Sequence, residues 1–221
     1  MIDLIQYHIN GYRSVQNQST AGVMHIIANG DLDDNYWLDV AVKDEQVVAE
    51  LAKEFNLHDL VLEDIFNHNH LPKYEQYEHY SFLTLKMLSI RKDEDGDDFI
   101  EDEQISILFG RNWLITVQET EGDIFDSVRH RLQKSLGNLR RRRTDYLFYR
   151  LVATIVDHYF VVLEWLREKV ETLEERLTEN PEQHQNEDVL HLKNQLRTLR
   201  RFMLDREERR VGKECRSRWS P

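Results

Sequence analysis

The segments MIDLIQYHI, GVMHIIA and YWLDVAV (Met1–Ile9, Gly22–Ala28, Tyr36–Val42) are short, apolar or alternating, and bounded by Gly, Ser, Asn and Asp, which predicts three strands. The period then changes. In DEQVVAELAKEFN, Val47, Val48, Leu51 and Phe55 share one helical face, with Asp44 placed as the N-cap. LHDLVLEDIFNHN predicts a second short helix that ends before Leu71, because Pro72 disfavours helical backbone in the residue preceding it. From His79 the alternation returns in HYSFLTLKMLSIRK. An acidic turn follows around Gly96, and FIEDEQISILFG and NWLITVQE give two more strands joined at Gly110 and Arg111. Asp123 then stands as the cap of a helix that places Phe125, Val128 and Leu132 on one face.

The second half of the chain has a different rhythm. From Thr144 to Asn180 no helix breaker occurs, a stretch that would extend about 55 Å if wholly helical. Val156, Tyr159, Leu163, Leu166, Val170, Leu173 and Leu177 are spaced alternately three and four apart, as in a heptad seam. Asn180-Pro181 stops it, and the spacing resumes at Val189, Leu192, Leu196, Leu199 and Met203, which predicts two helices folded back as an antiparallel pair. The change from period two to heptad spacing divides the chain into an α/β domain over 1–140 and a long helical hairpin over 141–210. The tail from 211 to 221, VGKECRSRWSP, is basic and unpatterned, and is expected to be foreign or poorly defined.

Composition narrows the classes of function. A net charge of −12 repels phosphate backbones, so no nucleic-acid partner is expected, while cations are attracted. The single cysteine, Cys215, supplies no disulfide framework and fits a reducing compartment. The N-terminus has no secretory pattern, and YFVVLEWL meets charge at Glu164, Arg167 and Glu168, so no membrane-spanning stretch is expected and the chain is read as soluble.

Candidate chemistry concentrates between Leu62 and Met87. Glu63 and Asp64 end a short helix, and paired carboxylates supply the hard oxygen ligands that Mg²⁺ requires, although solvated acids carry the same pattern. In DEDGDDFIEDE, placing Gly96 at the sixth position of an EF-hand loop puts Arg91 where the first ligand belongs, so that reading fails. His58, His68, His70 and His79 raise zinc, but no cysteine or third close ligand accompanies the His-x-His pair. There is no Gly-x-Ser-x-Gly elbow and no phosphate-binding glycine loop, so no enzyme is expected. The basic run Arg140–Arg143 reads either as an anion site or as a charge cluster at a helix end.

In their order, YWLDV, FNLHDLVLEDIFNHNHLPKYEQYEHYSFLTLKM, EDEQISILFGRNWLITVQE, DIFDSVRHRL, RRRRTDYLFYRLVATIVDHYFVVLEWLREKVETLEERL and LKNQLRTLRRFM resemble the CorA family of divalent-cation transporters, in its cytoplasmic N-terminal region. The resemblance runs over roughly residues 35 to 204. It implies an α/β (α+β) fold, a mixed sheet flanked by helices on both faces and followed by a long antiparallel helical hairpin. It further implies a homopentamer at the cytoplasmic face of the cell's inner membrane, anchored by two C-terminal helices, whose Gly-Met-Asn signature does not occur in these residues.

Functionally, the resemblance implies a regulatory domain that senses Mg²⁺ and gates the uptake of Mg²⁺, with Co²⁺ as a further cargo. It places a regulatory Mg²⁺ at Asp64, opposite an acid on a later stalk helix, and a second metal position at Glu63. The usual partner of Glu63 aligns with Ala153, so Asp157, one turn along, is the substitute. Ion release would then loosen the acidic subunit interfaces through like-charge repulsion. Two rival readings share these features: the cytoplasmic domain of a related zinc transporter, and a soluble coiled-coil interaction module. A metal-dependent hydrolase is disfavoured because the acids lack a nucleophile or base arrangement.

Overall fold

A computed structural model describes residues 2–41, 45–67, 72–92, 96–119, 124–179, 188–197 and 199–200. Among the described residues seven strands form one sheet: β1 (Ile2–His8), β2 (Gly11–Gln18), β3 (Asn35–Ala41), β4 (Lys73–Gln76), β5 (Ser81–Lys92), β6 (Asp98–Phe109) and β7 (Trp113–Gln118), in the order β2-β1-β3-β7-β6-β5-β4. β3 lies antiparallel to β1, with Ile2 opposite Val40, and parallel to β7, with Tyr36 opposite Trp113, so the sheet is mixed.

Both faces of the central strands are covered, which explains why YWLDV reads as nearly continuous apolar sequence. Tyr36, Leu38 and Val40 join a core with Val23 of α1 (Thr20–Ala28), Val48 and Leu51 of α2 (Glu45–Glu54), and Val61 and Ile65 of α3 (Asp59–Phe66). On the opposite face, Trp37 meets Phe125 edge-on at 6.1 Å, just before α4 (Asp126–Gln133). Asp39, also on that face, accepts hydrogen bonds from the Thr116 hydroxyl (2.8 Å) and the Gln118 amide (3.2 Å) and pairs with Arg129 of α4. A largely covered carboxylate is tolerable only when so many of its lone pairs are satisfied. Phe109 stacks on Phe148 of α5 (Thr144–Glu179), which adds a second helix there.

Four expectations change. GVMHIIA is helix, not strand: Ser19 accepts a hydrogen bond from the Gly22 N–H and caps α1, while β2 supplies the edge strand from a polar segment that apolar patterning passes over. A seven-residue apolar run fits either element, and the cap decides it. The heptad seam is also displaced. Among the described residues the buried apolar side chains of α5 are Leu147, Leu151, Ile155, Val162 and Leu166, of which only Leu166 belongs to the predicted seam, whereas Val156, Leu163 and Leu177 are exposed. α4 begins at Asp126, with Phe125 before it, later than its pattern suggested. Finally, α5 is long and apolar enough to cross a membrane by length and composition, because only Arg150 and Asp157 are charged between Tyr146 and Leu163. A long helix with one stripe packed on a core passes the same test. The caps expected at Asp44 and Asp123 lie outside the described residues.

By compactness the chain divides into residues 1–87 with 103–156, and residues 88–102 with 157–221. The first unit holds the cores just described. In the second, Leu88 and Ile100 of the sheet cluster with Val162 and Leu166 of α5 and with Leu199. The Gln195 side chain accepts a hydrogen bond from the Ile100 N–H at 2.8 Å. Arg176 pairs with Asp188 at 2.7 Å, which holds the helical residues 188–197 beside the end of α5.

Candidate metal site on helix α3

α3 begins where the His58 ring accepts a hydrogen bond from the Leu60 N–H (3.2 Å) and the His58 N–H donates to the Tyr80 hydroxyl (2.9 Å). Tyr80 stacks on Tyr77 with centroids 4.7 Å apart. His58 therefore has a structural duty, and His79 is exposed, with a long contact to Glu78 among the described residues. His68 and His70 lie outside the described residues.

With Val61 and Ile65 turned into the core, the helical phase carries Asp64 inward as well, to 6% exposure, and leaves Glu63 in solvent. A buried carboxylate needs partners. Asp64 Oδ2 lies 2.6 Å from Nζ of Lys73, which also reaches Glu75 at 3.1 Å; the Tyr77 hydroxyl donates to Glu75 at 2.8 Å. Gln104 on β6 donates from its side-chain amide to the carbonyls of Asp64 (3.0 Å) and Ile65 (3.3 Å), satisfying groups that the helix end leaves free.

The charges respond accordingly. The hydrogen bond to Asp64 raises the Lys73 pKa, against the opposing effect of burial. Burial, then Glu75, raises that of Tyr77. Glu75 is held low: burial opposes this, but the hydrogen bonds from Tyr77 and Lys73 outweigh it. The cluster is thus a lysine clasped by two carboxylates with a protonated tyrosine beside it.

Of the three residues expected at metal positions, Glu63 and Asp64 adjoin on α3 but differ in exposure, and Asp157 is exposed on the part of α5 that belongs to the second unit. Among the described residues no three His, Cys, Asp or Glu side chains gather as a metal-holding group. Hard carboxylate oxygens suit Mg²⁺ in kind, but in number this chain's described residues do not close a site. The sequence pattern singles out none of Lys73, Glu75, Tyr77 and Gln104 as neighbours of Asp64. The two-residue spacing of Lys73 and Glu75 was the available signal, since it puts both on one side of β4.

The profile of the CorA-like Mg²⁺ transporter protein family matches residues 33–210. The cobalt/magnesium transport protein CorA of Thermotoga maritima is 34% identical over 201 residues, which cover 90% of this chain and 56% of that protein. The soluble domain of CorA from Methanocaldococcus jannaschii superimposes with a TM-score of 0.64 at 16% identity, over 87% of this chain and 71% of that one. The complete CorA magnesium transporter of the same organism gives a TM-score of 0.64, again at 16% identity, over 92% of this chain and 59% of that one. The two structures share the fold, and the chain spans little more than half the length of the Thermotoga protein.

Proposed function

Because the chain belongs to the family of CorA-like Mg²⁺ transporter proteins, we propose that it is the cytoplasmic, Mg²⁺-sensing part of a divalent-cation transporter that gates uptake of Mg²⁺, with Co²⁺ as a further cargo. The family match across most of the chain carries this reading, and the likeness of its fold to a CorA soluble domain supports it. In the complete protein the α/β module over 1–140 and the hairpin over 141–210 lead toward stalk and membrane helices, at the inner face of the cell membrane, in a homopentamer.

Asp64 is the residue that would hold a regulatory Mg²⁺, with Glu63 and Asp157 at a second position; further donors come from a neighbouring subunit or a later helix, because the set among the described residues is too small. A bound ion would supply positive charge between acidic surfaces. The chain's own part is to keep Asp64 poised at the end of α3, where Lys73 already neutralises it and any ion must compete with that ammonium. A state stabilised by the ion is therefore favoured only when Mg²⁺ is plentiful, which is negative feedback on uptake.

The test is uptake by the complete protein in cells deprived of their own Mg²⁺ transport. Restored growth at low Mg²⁺, with uptake that slows as internal Mg²⁺ rises, is expected. Failure to admit either Mg²⁺ or Co²⁺ would reject the transporter reading, and uptake indifferent to internal Mg²⁺ would reject the sensing role alone.

A further inference from the structure

Arg140–Arg143 immediately precede α5, so they stand at its N-terminal end, where the aligned peptide dipoles are positive and cations are disfavoured. A charge cluster that merely complements its helix would have the opposite sign. Arg140 is accounted for otherwise: its guanidinium donates to the carbonyls of Leu132 and Gln133 at the end of α4 and lies over the Tyr12 ring at 5.3 Å. Arg141, Arg142 and Arg143, and Arg111 from the turn between β6 and β7, are exposed and make no side-chain hydrogen bond or ion pair among the described residues. On a chain with 41 acidic residues and 29 basic ones, four unpaired arginines in one place are a departure from its general charge.

Their backbone is fixed. Leu139 is buried, and the buried Thr144 donates its hydroxyl to the Gly110 carbonyl at 2.7 Å, which ties the β6–β7 turn to the start of α5. The turn is itself constrained, since a Cβ on Gly110 would meet the Trp113 ring at 2.5 Å. The four arginines border a cavity of about 870 Å³. Its wall includes Tyr36, 1% exposed, whose buried hydroxyl lies beside the Asp34 carboxylate without a hydrogen bond of ordinary length. Gly30 makes room for that hydroxyl, because a Cβ there would come within 1.7 Å of the oxygen. Burial, then the nearby Asp34, pushes the Tyr36 pKa up to about 12, so the hydroxyl keeps its proton. The Asp34 carboxylate accepts from the Gln6 amide (2.7 Å) and the Asp31 N–H (2.8 Å), while Asp31 and Asp33 lie exposed at the rim.

From this we infer that the cavity is a binding site for a phosphate-bearing anion, presented either free or on a lipid headgroup. Guanidinium forks match phosphate oxygens two at a time, and several together favour a multiply charged group over a lone carboxylate. The volume suits a ligand of pyrophosphate to nucleotide size. The rim aspartates and the acidic chain repel such a ligand at a distance, so binding is salt-sensitive and selects for high local charge. The site stands apart from α3 and does not depend on the transporter reading.

Calorimetry of the full chain with sodium pyrophosphate, without divalent cations, tests it beside co-sedimentation with phosphatidylcholine vesicles made with and without phosphatidylglycerol. Binding to either probe is expected to be saturable and to weaken about tenfold or more in Arg141→Gln/Arg142→Gln, which removes charge-assisted hydrogen bonds. Arg111→Gln, on a different element, should weaken it in the same direction. Arg167→Gln, whose guanidinium pairs with Glu164 and Glu171, should leave it unchanged. Pyrophosphate binding alone identifies a free phosphate, and binding to the anionic vesicles alone identifies the headgroup. Binding to neither probe, or equal weakening by Arg167→Gln, would overturn the inference; unchanged circular dichroism in each variant guards against misfolding.

Discussion

Glu63 and Asp64 are chemically alike and one bond apart, yet the phase of α3 sends one to solvent and the other beside the core, where Lys73 meets it. Position within the turn, more than residue type, sets what each can do. The same holds for His158, half-buried on α5, whose pKa burial lowers below the ordinary value of 6.5. A histidine with a depressed folded pKa contributes fully above its unfolded value, and that contribution is lost as pH falls from there toward the folded value, because the unfolded chain takes up the proton first. Removing the imidazole should therefore flatten the dependence of stability on pH in that window. Urea unfolding at pH about 7.5 and about 5.5 measures it: the loss on acidification should be smaller in His158→Gln than in the parent. Equal losses would mean that His158 is not the titrating group.

At the scale of elements, α5 illustrates both how far a pattern reaches and where it stops. Its length is plain from the lack of a breaker between Thr144 and Asn180, but several stripes of Leu, Val, Ile and aromatics run along it, and spacing alone cannot say which one the core takes. The core takes Leu147, Leu151, Ile155, Val162 and Leu166. Truncating Ile155, fully buried, to alanine should cost about 3 kcal/mol, from lost transfer energy and the cavity left behind. Val156→Ala, at a neighbouring exposed position, should change stability by no more than about 0.5 kcal/mol. Chemical denaturation of the two variants decides between the stripes, and a larger loss at Val156 would restore the seam read from spacing. Strands β1, β3, β5, β6 and β7 were legible because alternation and bounding polar residues agree there, whereas β4, four mostly polar residues, was not. α1 was not, because a seven-residue apolar run carries no period long enough to separate helix from strand. Lys73 as the partner of Asp64 was not legible either: the pair forms only when β4 returns past the end of α3, a tertiary event that neither segment encodes alone.

For the whole molecule, the order of the segments was more informative than any one of them. It pointed to the CorA family, to which the chain belongs, and to a mixed sheet with helices on both faces, which the structure has. Charge adds the functional logic, since an acidic chain gains most from a divalent cation where its acids are pressed together. The central proposal is that Asp64 is the acid through which the complete protein responds to Mg²⁺. Asp64→Asn keeps the side chain's size but removes the charge on which a hard cation depends, and Lys73→Met removes the ammonium that competes for it. Protease protection of the complete protein, titrated with Mg²⁺, measures the response directly. The account predicts a weaker, right-shifted protection in Asp64→Asn and a midpoint at lower Mg²⁺ in Lys73→Met. An unchanged midpoint and amplitude in Asp64→Asn, together with a shift of both in Glu63→Gln, would contradict it and assign the role to the exposed neighbour.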